Sequence, residues 1–160
     1  MVVDITLHYI ARLGHHTDEL GLVVQGHLLI EFVLNEIIRR SFKQPAKIIE
    51  DHRAYSFSVK ARIIYSSGLL PDHIFRNIQR INSIRNHLAH NLDWDSLKLD
   101  YKFSHEKNEK PTETETRDLR TGRVVTRRKY IKMLCVGTLG QLRNHYFYKY
   151  GNFPAPKQFP

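Results

Sequence analysis

The chain has 160 residues, 41% hydrophobic and 26% charged, which suits one compact domain and excludes a barrel enzyme, a two-domain dehydrogenase and a wholly disordered chain. Lys and Arg outnumber Asp and Glu by 25 to 16, but unevenly: residues 1–100 hold 12 basic and 11 acidic side chains, residues 101–160 hold 13 and 5. The lone Cys135 excludes an intrachain disulfide and a multi-cysteine zinc site, and the absence of a long unbroken apolar run or a basic leader predicts a cytoplasmic protein without a membrane span.

Apolar residues recur at helical spacing almost throughout. Ile5, Leu7, Tyr9, Ile10 and Leu13 predict a short first helix, interrupted by Gly14 and the His15-His16 pair. Thr17 or Asp18 caps a long second helix to about Ser41, whose apolar face includes Leu20, Val23, Val24, Leu28, Phe32, Val33 and Ile37. Glu31 and Glu36 fall among these positions, and Arg39-Arg40 lie near the end, where the helix dipole favours cations. Gln44-Pro45 breaks the helix, and a short helical piece over 46–52 follows.

A third helix over 56–67 carries Phe57, Ala61, Ile64 and Tyr65 on one side, with Gly68 at its end. Pro71 or Asp72 opens a fourth, with Ile74, Phe75, Ile78, Ile81, Ile84 and Leu88, ending at Asn91. Trp94 and Leu97 return the chain onto the body. Residues 104–118 are polar and predict an exposed loop, and Arg120-Thr121-Gly122-Arg123 turns a small hairpin within 116–126. A last helix spans 127–150, weakened by Gly137 and Gly140 and stopped by Gly151, before a Pro-rich extended tail.

The chemistry concentrates at the end of the fourth helix, in Arg85-Asn86-His87-Leu88-Ala89-His90. Asn86 and His90 are four apart and share a face, whereas Arg85 and His90 lie about 140° apart on an ideal helix. Arg85 therefore needs a further element to meet His90, and a second copy of this helix across a twofold axis supplies one. Histidine takes or gives a proton near neutral pH, and its place near a helix C-terminus suits a general acid. Arg85 can hold a phosphate, and Asn86 can orient either group. RNA brings its own 2′-hydroxyl nucleophile, so such a cluster suits metal-free phosphodiester cleavage that leaves a 2′,3′-cyclic phosphate.

Arg85-Asn86-x-x-x-His90 resembles the Arg–polar–x–His signature of the HEPN superfamily of small helical domains. Gly26-His27-Leu28-Leu29-Ile30-Glu31-Phe32-Val33-Leu34 is similar to the first core helix of such domains. The stretch 57–65 with Gly68-Leu69-Leu70 resembles the mannitol operon repressor branch, and together the similarity covers about residues 17–92. The resemblance implies an all-α, up-and-down bundle that dimerises with paired motifs lining an interfacial cleft. It implies either an endoribonuclease of a bacterial toxin, defence or stress system, or a non-catalytic transcriptional regulator, or a nucleotide- or protein-binding module. The ribonuclease leads, with Arg85 and His90 essential and Asn86 and Glu31 supporting.

The remaining readings follow from this frame. The chain is one domain over 1–160, with a core at 17–92, a last helix at 127–150, and a polar, basic insertion at 104–126. Arg117, Arg120, Arg123, Arg127, Arg128, Lys129 and Lys132 suit a phosphate-contacting surface, and equally a solvated or antitoxin-binding face. Expected partners are a second copy, RNA and an antitoxin or regulatory protein; no cofactor and no membrane are expected. His87 and His90 lack a third ligand at metal-binding spacing. The competing reading of Arg85 and Asn86 is a helix end paired with Asp93 or Asp95. Glu31 either pairs with Arg85 or Arg62 or lies partly exposed beside the core. Tyr146, Phe147, Tyr148 and Tyr150 either stack on bases or pack on the body, and Cys135 reads as a small buried hydrophobe.

Overall fold

In the computed structural model the described residues are 11, 13, 18–91, 97–105, 108–113 and 126–151. Most form five helices: α1 (Glu19–Ser41), α2 (Pro45–Ile49), α3 (Phe57–Ser66), α4 (Asp72–His90) and α5 (Arg127–Tyr150). Their bounds match the apolar periodicity closely. Asp18 caps α1 by accepting from the Gly21 amide at 2.6 Å, a contact worth about 1 kcal/mol. Gly151, at φ 77, ends α5 in the left-handed region. Of the proposed first helix only Ala11 and Leu13 are described, both helical and Leu13 buried in the core, while its other residues, the His15-His16 pair, Trp94, Asp93, Asp95, the 116–125 hairpin and the 152–160 tail lie outside the described residues.

Helix α1 is the centre of the fold and packs against α2, α3, α4 and α5. Leu22, Ile30, Val33, Leu34, Ile37 and Ile38 are fully buried in it. Its length and a mean hydropathy of 1.4 over 18 residues would suffice to cross a membrane, yet 56% of that window is buried inside the fold. The burial identifies it as the core helix here. Helix α5 closes on α1 at a very short separation: a Cβ on Gly26 would meet Cys135 Sγ at 2.7 Å. Cys135 is accordingly buried, and burial pushes its thiol up to about 12.

The polar stretch after α4 departs from the expected loop. Lys102–His105 (β1) and Asn108–Glu113 (β2) form an antiparallel hairpin, with Phe103 opposite Thr112 and an irregularity between Phe103 and His105. Its anchor is polar as well as apolar, which is why alternation in the sequence is faint. Asn77 of α4 brackets Ser104, donating to its carbonyl at 2.9 Å and accepting from its amide at 2.9 Å. Gln141 of α5 also donates to the Ser104 carbonyl at 3.0 Å, and Arg80 donates to the Ser104 hydroxyl at 3.0 Å. These bonds satisfy a buried strand without a second sheet neighbour. Phe103 is buried over Gly137, where a Cβ would lie 2.8 Å from its ring. Gly137 is thus a packing position rather than only a weak point in α5.

Candidate functional site

Helix α4 carries two kinds of residue. Ile74, Phe75, Ile78, Ile81, Ile84 and Leu88 are buried and fix its rotation against α1. That rotation turns Gln79, Ser83, Asn86 and His90 along another side, at intervals that keep a helical stripe. Arg85 and His90 are exposed, and Asn86 and His87 are half-buried. Arg85 donates to the Asn86 side-chain oxygen at 3.1 Å. Among the described residues Arg85 forms no ion pair. The pairing with Asp93 or Asp95 concerns residues outside that set.

Glu31 has a different partner from either predicted arginine. It accepts from the Lys60 ammonium at 3.0 Å, and the Lys60 side chain is 0% exposed against 25% for Glu31. A lysine buried this deeply needs an anion, and Glu31 provides it. Arg62 instead lies on the exposed side of α3, where it lines a cleft.

His27, one turn before Glu31 on α1, feels the charges of both Glu31 and Arg85. It is buried and stacks on Phe57 with ring centroids 3.8 Å apart. Burial lowers its pKa, Glu31 raises it, the Arg85 charge lowers it, and a hydrogen bond with Asn82 raises it, in that order of size. His27 and Glu31 are four apart on α1, and Asn82 and Arg85 are three apart on α4, so the two helices meet along a polar seam. The signal in the sequence was the recurrence of polar residues at 79, 82, 83, 86 and 90, at helical spacing along one side of α4.

A cleft of about 320 Å³ opens beside this seam, between α3 and α4. Phe57, Ala61, Phe75 and Ile78 contribute apolar walls, and Arg62, Gln79, Asn82, Ser83 and Asn86 contribute polar groups. Asn86 thus belongs both to the cleft and to the Arg85 contact. The arrangement offers a cation for an anionic group, amides for orientation, and an exposed imidazole one helical turn beyond Asn86. Among the described residues no group of three His, Cys, Asp or Glu side chains is placed to hold a metal ion.

The basic residues of the C-terminal part are divided. Arg127 donates to Glu19 at 2.7 Å and ties the start of α5 to the start of α1. Arg128, Lys129 and Lys132 are exposed on the first turns of α5. Arg117, Arg120 and Arg123 lie outside the described residues. At the other end of α5, Tyr146 is buried and the Tyr150 hydroxyl lies 2.6 Å from the Ser41 hydroxyl, whereas Tyr148 is 86% exposed. The aromatic run is therefore split between packing and surface.

No family model, curated protein or solved structure matches this chain.

Proposed function

We propose that this chain is a metal-independent endoribonuclease of HEPN type that works as a homodimer, the effector of a bacterial defence or stress system. One observation carries the reading: Arg85 is exposed, bonded to the Asn86 amide and free of any ion pair among the described residues. An arginine meant only to brace a helix end is expected on a carboxylate, and here Lys60 holds Glu31. A guanidinium with no carboxylate on it among the described residues, bonded to the cleft residue Asn86, suits a phosphodiester.

In this mechanism Arg85 binds the scissile phosphate and stabilises the charge that develops as the ribose 2′-hydroxyl attacks. His90 supplies the proton that the departing 5′-oxygen takes up, and Asn86 holds the Arg85 guanidinium in place. The 2′-hydroxyl proton passes to solvent, and the product ends in a 2′,3′-cyclic phosphate. Arg85 and His90 do not share a helix face, so the pair that acts together comes from two copies of α4.

Digestion of mixed total RNA in EDTA by wild type, His90→Ala and Arg85→Ala tests the proposal. Cleavage by wild type alone, with 2′,3′-cyclic phosphate ends, is expected. Cleavage that persists in His90→Ala would remove His90 from the chemistry. Folded dimers that bind duplex DNA and cut no RNA would instead favour a regulator of the mannitol repressor type.

A further inference from the structure

We propose that the cleft between α3 and α4 is a subsite for one unpaired purine base of an RNA strand. This deepens the ribonuclease reading, on which the strand as ligand rests; the affinity for a purine rests on the cleft itself.

Size comes first. A cleft of about 320 Å³ lies at the small end of ligand sites, enough for one base and its ribose. Two of its apolar walls are each stacked on a neighbouring ring. Phe57 is stacked on His27 at 3.8 Å, and Phe75 is stacked on Tyr65 at 4.2 Å with rings nearly parallel. Aromatic and aliphatic walls suit the flat face of a base.

The polar groups then select the edge. Gln79 and Asn86 bring amides, and a side-chain amide pairs bidentately with N6 and N7 of adenine. Arg62 brings a guanidinium, whose matching partner is O6 and N7 of guanine. Both geometries use N7, which only purines possess. No Asp or Glu lines the cleft, so the acidic acceptor that favours cytosine is missing there. Arg85 completes the arrangement from the side. It donates to Asn86 Oδ1 at 3.1 Å, which engages one lone pair of that oxygen, leaves the other and the NH₂ for a base, and sets a cation for the phosphate next to it.

The test uses His90→Ala protein, so that strands are bound and not cut. Short single-stranded oligoadenylate, oligocytidylate and oligouridylate are compared by fluorescence anisotropy at one salt concentration. Oligoadenylate is expected to bind roughly tenfold tighter, the discrimination of one bidentate contact. Ser83→Trp, at an exposed position, fills the cleft and should abolish the preference while leaving a common affinity for all three. Gln79→Ala, which adds no bulk, should reduce the preference in the same direction. Equal binding of the three strands overturns the proposal, as does a preference that survives both substitutions or no binding at all. Adenosine monophosphate that competes as strongly as the oligomer would assign the cleft to free nucleotides and overturn the strand. Cleavage is read separately on total RNA, so loss of the purine preference alone leaves the ribonuclease reading standing.

Discussion

Glu31→Ala should destabilise the fold by about 2–3 kcal/mol, because it strands the ammonium of Lys60. The Lys60 side chain is wholly buried, its Nζ is 3.0 Å from Glu31, and no other anion contacts it among the described residues. Removing one partner of a fully buried pair costs about 3–5 kcal/mol. Glu31 keeps a 25% exposed side chain, so water can reach part of the gap and the upper figure is reduced. For a domain of this size the loss corresponds to a fall of about 5–10 °C in Tm. Lys60→Met removes the buried charge while keeping the stem, and should be within about 1 kcal/mol of wild type. The double variant Glu31→Ala/Lys60→Met should recover most of the loss. Urea melts followed by far-UV circular dichroism measure all four proteins. A Glu31→Ala loss below about 0.5 kcal/mol, or a double variant no better than Glu31→Ala, would refute the argument. If Glu31→Gln abolishes RNA cleavage at unchanged stability, Glu31 acts in the chemistry instead.

Four further outcomes are expected. His27 sits below the ordinary imidazole value of 6.5, chiefly through burial, so the unfolded chain takes up the proton first. Its contribution to stability is complete above that pH and is lost as the pH falls through it towards the lower folded value; His27→Gln should flatten this part of the stability profile. By NMR titration, Arg85→Gln should raise the His27 pKa and Glu31→Gln should lower it; no response to Arg85→Gln would separate the two side chains. Gly26→Ala should cost about 1–3 kcal/mol through its clash with Cys135, whereas Gly140→Ala, with open space at the Cβ, should stabilise α5 by about 0.5–1 kcal/mol in the same denaturant melts. Asn77→Ala should cost about 1–3 kcal/mol by leaving the buried Ser104 amide without its acceptor, and amide exchange at Ser104 should accelerate.

The helices were readable because their apolar residues recur every three or four positions and because Asp18, Pro45, Gly68 and Gly151 punctuate them. The hairpin was not readable, because Phe103 is its one large buried side chain among the described residues and Ser104 is secured by Asn77, Gln141 and Arg80 from two distant helices. Position 137 looked like a defect until Phe103 was seen packed against it. At the site, the local order of Arg85, Asn86 and His90 was visible in sequence. The partners were not: Lys60 is 29 positions from Glu31, and no local spacing distinguishes it from Arg62 or Arg85. His27 was hidden for the same reason, since its character comes from burial against Phe57 and from charges on another helix.

Mixing two inactive variants tests the composite site most directly. Arg85→Ala and His90→Ala chains are each purified, unfolded together, refolded as a mixture and assayed on RNA. If each site takes Arg85 from one copy of α4 and His90 from the other, about half the dimers are mixed and each holds one intact site of two, so about a quarter of wild-type activity returns. If the mixture stays as inactive as its components while size-exclusion shows that mixed dimers form, Arg85 and His90 do not act across a dimer, and the proposed mechanism is wrong.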